Sequence, residues 1–280
     1  MLTPQRVERR KRKSRSDVTV ELWNCGTGWK VSERLQRWAS YNRTTTMPQS
    51  AQEQATGASE WAPPNAVGGD PWEAAYMRFE TPEQEIRKFR ERLAKLGAAE
   101  WPRDARIVEL FCGRGNGLHA LERLGFTQIE GADLSSQLLA QYRGPARCMV
   151  CDCRQLPFAS GSKDVVIVQG GLHHLPTLPE SLEQTFAEMQ RVLSKDGRVV
   201  IVEPWSTPFL KFTHSVCRIR LARRVSPKVD ALAAMIHYEQ RTYDQWLNNP
   251  NLILRLARAH FSPIQETFSW GKWQFAGVPL

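Results

Sequence analysis

Between residues 106 and 203 the chain alternates short apolar runs with helical patterns, and that alternation leaves few folds open to it. Apolar runs predict strands over 106–111, 127–131, 146–151, 164–169 and 198–203. Helical spacing predicts helices over 118–124, 136–142 and 179–193 between them. Strand and helix in strict alternation imply a parallel sheet covered on both faces. Upstream, Thr81, Pro82 and Gln84 supply an N-cap, a first-turn proline and a capping-box glutamine. Ile86, Phe89, Leu93 and Leu96 then recur at helical spacing until Gly97 ends the run. Downstream, residues 206–241 read as a helical insertion, followed by a helical run over 252–257. Two extended pieces near 264–270 and 272–278, joined at Gly271, are expected to pair as a hairpin on the sheet edge.

Charge divides the chain in two. The net charge is +9, of which residues 1–69 carry +5 and residues 70–280 carry +4. The first segment has a basic run over 9–13 and no apolar periodicity, so residues 1–69 are expected to be a disordered basic tail and 70–280 the folded domain. The run reads as a solvated tail or as a tether for nucleic acid or an anionic surface. No apolar stretch approaches the roughly 18 to 20 residues of a membrane-spanning helix, and no apolar core of the signal-peptide kind opens the chain. A soluble, cytoplasmic protein is expected. The six cysteines lack the even spread of a disulfide framework, and free thiols are expected. Cys148, Cys151 and Cys153 have suggestive spacing for a metal, but they fall across a strand whose side chains alternate between faces. No metal centre is expected.

Three groups of residues carry chemistry. In the first, Glu109 lies on an apolar strand that runs through Cys112 into Gly113, Gly115 and Gly117 and then into a helix. Glycine suits such a turn, where the chain bends sharply and a side chain would fill a cofactor's space. The glycines alternate, unlike those of the dinucleotide fingerprint, and an acid four residues before the first sits uneasily beside a diphosphate. S-adenosylmethionine carries an ammonium and a sulfonium and no phosphate, so the loop favours that cofactor. In the second group, Asp133, followed by Leu134, ends the next strand, where a carboxylate accepts both ribose hydroxyls. In the third, Asp152 and Cys153 end the following strand, within reach of an adenine amino group.

At these residues the chain resembles the class I S-adenosylmethionine-dependent methyltransferase superfamily, in the group that includes ubiquinone and menaquinone biosynthesis methyltransferases. The resemblance also takes in Gln169, Gly170, Gly171, Leu172, His173 and His174, and the Glu203 and Pro204 that end the fifth strand. It implies an α/β, Rossmann-like, doubly wound, seven-stranded and mostly parallel sheet with an antiparallel C-terminal strand. It implies that Glu109 and the glycine loop hold the methionine end of the cofactor. Asp133 would hold the ribose, Asp152 and Cys153 the adenine, and Gln169 the region near the sulfonium. One departure is Phe111, where the family usually has another glycine.

Methyl transfer is an in-line displacement, and alignment supplies much of its barrier reduction, on the order of 7 to 11 kcal/mol in well-oriented reactions. Where a base is needed, His173 and His174 are the best placed and Glu203 is a weaker candidate. The competing reading has these histidines capping or packing under the next helix. The insertion mixes Phe209, Leu210, Phe212, Val216, Ile219 and Leu221 with Lys211, Arg218, Arg220, Arg223 and Arg224, a basic amphipathic helix over 209–224. It reads as a solvated helical cap, or as a cover for a small anionic or lipid-like acceptor. The rival functions are a nucleic-acid methyltransferase and a noncatalytic cofactor-binding scaffold. Against the first, no Pro-Cys dipeptide supports cytosine C5 chemistry, and the stretch 169–172 reads Gln-Gly-Gly-Leu where amino-methylating DNA enzymes place an acid or amide before Pro-Pro-aromatic.

Overall fold

The structure, a computed structural model, describes residues 71–280. The expected basic tail lies outside the described residues. Two helices lead in, α1 (Pro71–Phe79) and α2 (Pro82–Lys95), followed by a 3-10 turn at Ala98–Glu100. The alternating region then runs β1 (Arg106–Leu110), α3 (Asn116–Arg123), β2 (Gln128–Asp133), α4 (Ser136–Leu139), β3 (Arg147–Val150) and β4 (Lys163–Gln169). After a 3-10 turn at Leu172–His174 come α5 (Glu180–Val192) and β5 (Leu193–Pro204). A helical segment follows, α6 (Pro208–Arg218), α7 (Arg220–Val225), α8 (Pro227–Asn248) and α9 (Pro250–His260), before β6 (Phe261–Ser269) and β7 (Lys272–Pro279).

The strands form one seven-stranded sheet in the order β3-β2-β1-β4-β5-β7-β6. The first five are mutually parallel, and β7 runs antiparallel to both β5 and β6. This is the expected α/β, doubly wound arrangement with its antiparallel C-terminal strand. Alternation along β1 explains the two covers. Val108 and Leu110 face a core closed by α5 and α9 through Phe186, Met189, Ile253 and Ala257. Ile107 faces the other, closed by Leu118, Leu121, Leu139 and Tyr142.

Several elements differ from the sequence-based expectation for local reasons. The capping box of α2 forms as expected, with Gln84 N donating to Thr81 Oγ1 at 3.3 Å and Thr81 N to Gln84 Oε1 at 3.4 Å. α1 was not anticipated. α4 stops at Leu139, short of the expected residue 142, and Tyr142 turns its ring beneath Gly115. β5 starts at Leu193 instead of 198, because Leu193 already pairs with Lys163 and residues 194–197 bulge out before Arg198 pairs with Val165. The single basic helix over 209–224 is corrected to two. Ile219 adopts an extended conformation (φ −83°, ψ 111°), and α7 folds back so that Arg223 Nη2 reaches Asp230 Oδ1 at 2.9 Å. No described helix is long and apolar enough to cross a membrane.

Candidate active site

The C-terminal ends of β1 to β5 open on one side of the sheet, and the strand order reverses between β1 and β4, where open α/β sheets bind ligands. The glycine loop spans that point. Asp133 at the end of β2 ties it down. Its Oδ2 accepts from Gly113 N and its Oδ1 from Ser135 N, both at 2.8 Å. Burial raises the Asp133 pKa against these bonds. Gly113 (φ +52°) and Gly115 (φ +83°) are left-handed, which only glycine adopts without strain. At Gly113 the nearest atom to an added Cβ is Leu138 Cδ1 at 3.9 Å, so open space adjoins it. At the other two the reason for glycine differs from the expected one. A Cβ at Gly115 would overlap the Tyr142 ring and one at Gly117 the Glu109 carboxylate, so protein, not ligand, claims that space.

Glu109 lies behind the loop, 2% exposed. Burial dominates its titration and pushes its pKa up to about 8, opposed by Gln169. Gln169 Nε2 donates to Glu109 Oε1 at 3.4 Å, while Glu109 Oε2 and Gln169 Oε1 are buried and make no hydrogen bond. Arg114, inside the loop, is nearly enclosed. Its guanidinium lies 4.6 Å from the centre of the Tyr76 ring of α1 and 3.6 Å from Glu85 Oε2 of α2, and its Nε and Nη2 make no hydrogen bond. Orphaned buried acceptors and donors are rare, and four of them belong to Glu109, Gln169 and Arg114 around this loop.

Phe111 takes the conformation that a glycine would adopt at its place, φ +56°, and its ring packs against Gly171 of the loop after β4. A left-handed bulky residue is uncommon and marks a constrained position. The Cys112 thiol turns down under Gly131 beside Cys148, away from the open side. Leu134 is 48% exposed at the mouth, next to Asp133. Asp152 accepts Arg154 N, Nε and Nη2 at 2.6 to 3.1 Å, which holds its pKa low against burial. The Cys153 thiol packs toward α5, 3.6 Å from Thr185 Oγ1, and burial pushes it up to about 12.

The second half of the site is a histidine-carboxylate cluster beside β4 and β5. Glu203 is wholly enclosed. Its Oε1 accepts from Gly171 N and Leu172 N and its Oε2 pairs with His173 Nδ1, each at 2.7 Å. On the other side of the histidines stands Glu239 of α8, its Oε2 3.6 Å from His173 Nε2 and its Oε1 3.9 Å from His174 Nε2. Burial opposes a charge on His173, but Glu203 and Glu239 outweigh it and raise its pKa to about 9. Burial and the neighbouring His173 push His174 down to about 4. Tyr243 packs edge-on to His173 with ring centres 5.7 Å apart, and Trp72 of α1 lies edge-on to His174 at 6.1 Å.

Residues 108–201 match the family described as a methyltransferase domain. That match gives the chain a methyltransferase domain over about a third of its length. It is 32% identical over 125 residues to the ubiquinone/menaquinone biosynthesis C-methyltransferase UbiE of Geotalea daltonii, covering 40% of this chain and 50% of that protein. It is 30% identical over 124 residues to the demethylmenaquinone methyltransferase of Thermus thermophilus, covering 41% and 54%. The chain thus spans about half the length of the curated relatives it matches. Among solved structures, the PH0226 protein of Pyrococcus horikoshii shares the fold with a TM-score of 0.57 at 18% identity, over 76% of this chain and all of the other.

Within this methyltransferase fold, Glu109, Gly113, Asp133, Leu134 and Gln169 gather around the loop, while Gly115 and Gly117 shape it from behind. Cys112 and Cys153 turn their thiols into the protein. His173, His174 and Glu203 form the second cluster. Sequence reasoning missed Arg114, Tyr76, Trp72, Glu239 and Tyr243. Arg114 was findable as the one charged residue inside the glycine loop. Glu239 and Tyr243 left no local signal, because only the docking of α8 brings them to the site.

Proposed function

We propose that the chain transfers a methyl group from S-adenosylmethionine to a small-molecule or lipid-like acceptor held between the strand ends and α8. The observation that carries this reading is the set of unsatisfied groups around the glycine loop. Buried Glu109 Oε2 and Gln169 Oε1 want a donor, and buried Arg114 Nε wants an acceptor, while Arg114 Nη2 has only the ion pair with Glu85 at 3.6 Å. An amino-acid zwitterion satisfies both, and the methionine end of the cofactor is one. Asp133 would take the ribose and the exposed face of Leu134 an apolar ring edge. When bound, the cofactor supplies an electrophilic methyl on sulfur.

The chain's own part is alignment and proton management. Gln169 and the Phe111–Gly171 contact lie between the two clusters. The cluster of His173, His174 and Glu239 faces the acceptor side, where the acceptor's proton must be lost. Glu203 is a positioning residue, since both its oxygens are spent on His173 and the backbone of the turn. The aromatic neighbours Trp72 and Tyr243 suit a hydroxylated ring, and the relatives named above are a ubiquinone/menaquinone biosynthesis C-methyltransferase and a demethylmenaquinone methyltransferase.

Calorimetry with S-adenosylmethionine, followed by methyl-release assays over quinone, phenol and RNA acceptors, tests the proposal. Binding with turnover on a ring acceptor supports it. Turnover on RNA alone supports the nucleic-acid rival, and binding without turnover on any acceptor supports a scaffold.

A further inference from the structure

We infer that His173, His174 and Glu239 form a binding site for one first-row divalent transition-metal ion, of the zinc class, with open positions toward the acceptor. The first observation is convergence. Ligand atoms of the three residues lie within 4.8 Å of one another, and each imidazole Nε2 faces its own oxygen of Glu239, at 3.6 and 3.9 Å. Neither separation is a hydrogen bond. Both are near what an ion requires, since ligands at about 2.1 Å from a common tetrahedral centre stand about 3.4 Å apart. The two separations run to different oxygens of Glu239, so closing the shell on one centre takes a turn of the carboxylate or of a ring as well as a contraction.

The second observation is how the histidines are held. Consecutive residues point apart on a strand, but the 3-10 turn at Leu172–His174 places both rings on one side, 4.1 Å apart and tilted by 36°. The Nδ1 of His173 is engaged by Glu203 at 2.7 Å, and Glu203 is itself fixed by two backbone N–H groups. A carboxylate on the far nitrogen is the usual partner of a metal-bound histidine: it fixes the ring's orientation and leaves the other nitrogen for the ion. Two imidazoles and a carboxylate without thiolate suit zinc, iron(II) or manganese.

Three protein ligands leave room for another, as in catalytic sites. An acceptor hydroxyl drawn to the ion would break its O–H bond more readily, the electron pair staying on oxygen and the proton leaving to water. The electron-rich ring carbon would then take the methyl as the methyl–sulfur bond breaks, its electron pair staying on the sulfur of the departing thioether, and the ring would lose the proton of that carbon to water. This last step rests on the methyl-transfer reading, whereas the ion site itself does not.

The test uses the full chain, stripped with a chelator and dialysed against Zn2+ or Co2+. The expected result is about one ion per chain and visible cobalt d–d bands without sulfur-to-cobalt charge transfer. Binding should weaken at least ~10-fold in Glu239→Gln and in His174→Gln, with thermal unfolding in chelator confirming that each variant folds. If a variant fails to fold, X-ray absorption of the wild-type cobalt form decides, with two imidazoles expected in the shell. Failure to retain an ion, thiolate ligation, or unchanged binding in Glu239→Gln overturns the inference. Cofactor calorimetry on the chelated sample keeps the two readings apart: binding there with no ion site leaves the methyltransferase reading standing.

Discussion

At Glu109 a carboxyl is enclosed behind the glycine loop with one oxygen unpartnered, and this has a measurable consequence. Its pKa of about 8 in the free protein keeps it protonated at neutral pH. A bound ammonium favours the ionised form, so binding releases a proton and cofactor affinity should rise with pH up to about 8. Calorimetry between pH 6 and 9 checks the slope. Glu109→Gln should flatten it and weaken binding roughly 10-fold or more, and Arg114→Gln should weaken binding similarly, as expected for charge-assisted bonds of about 1.5 to 3 kcal/mol. A carboxyl raised from 4.5 also costs folding stability as pH climbs from 4.5 toward 8, and Glu109→Gln removes that cost. Phe111 and Gly171 make a second test. A Cβ at Gly171 would overlap the Phe111 ring, so Gly171→Ala should destabilise by about 1 to 3 kcal/mol. In a Phe111→Gly background the same change should be nearly neutral, and a denaturation double-mutant cycle reads the coupling. Residue identity at 111 was legible in the sequence as a departure from the family pattern. That it keeps the glycine-like backbone was not, because φ is set by the flanking strand and turn.

Strands β1, β4 and β5 are fastened at the end away from the site by Asp164. It accepts Arg106 N and Nε at 2.9 Å and Nη2 at 2.6 Å, and Ser194 Oγ at 3.2 Å. The Arg106 guanidinium holds its carboxyl down at about 2, against an ordinary 3.8. The folded pKa is depressed, so this contribution is present above 3.8 and lost as pH falls toward 2. Because the pair is partly exposed, Asp164→Asn should cost only about 1 kcal/mol at neutral pH. It should also remove that part of the acid dependence, which chemical denaturation at pH 7 and pH 3 compares. Elements of this kind were largely readable in advance. Continuous apolar runs mark the strands, and turns of glycine and aspartate lie within a few residues of their ends. The breaks at Ile219 and after Leu139 were not readable, since a helix there is locally acceptable and is overruled by the Arg223–Asp230 pair and by the packing of Tyr142.

At the scale of the molecule, the helical segment is docked onto the sheet by Trp246, 1% exposed, whose Nε1 donates to Pro204 O at 2.8 Å. Trp246→Ala should cost about 3 to 5 kcal/mol and expose 206–248 to proteolysis, a pattern that limited digestion would detect. Because the same helix carries Glu239 and Tyr243, that variant should impair acceptor turnover more than cofactor binding, as a KM-against-kcat comparison beside calorimetry would show. The sequence by itself determined the order of strands and helices, the parallel sheet and the glycine loop, since these follow from periodicity and from residues close together along the chain. Tertiary structure alone decided that α1 covers the loop, that Arg114 is enclosed, and that Glu239 faces two histidines some 65 residues earlier. Such contacts arise from the packing of α8 over the strand ends, and no periodicity along the chain encodes which of its residues will meet the turn at Leu172–His174.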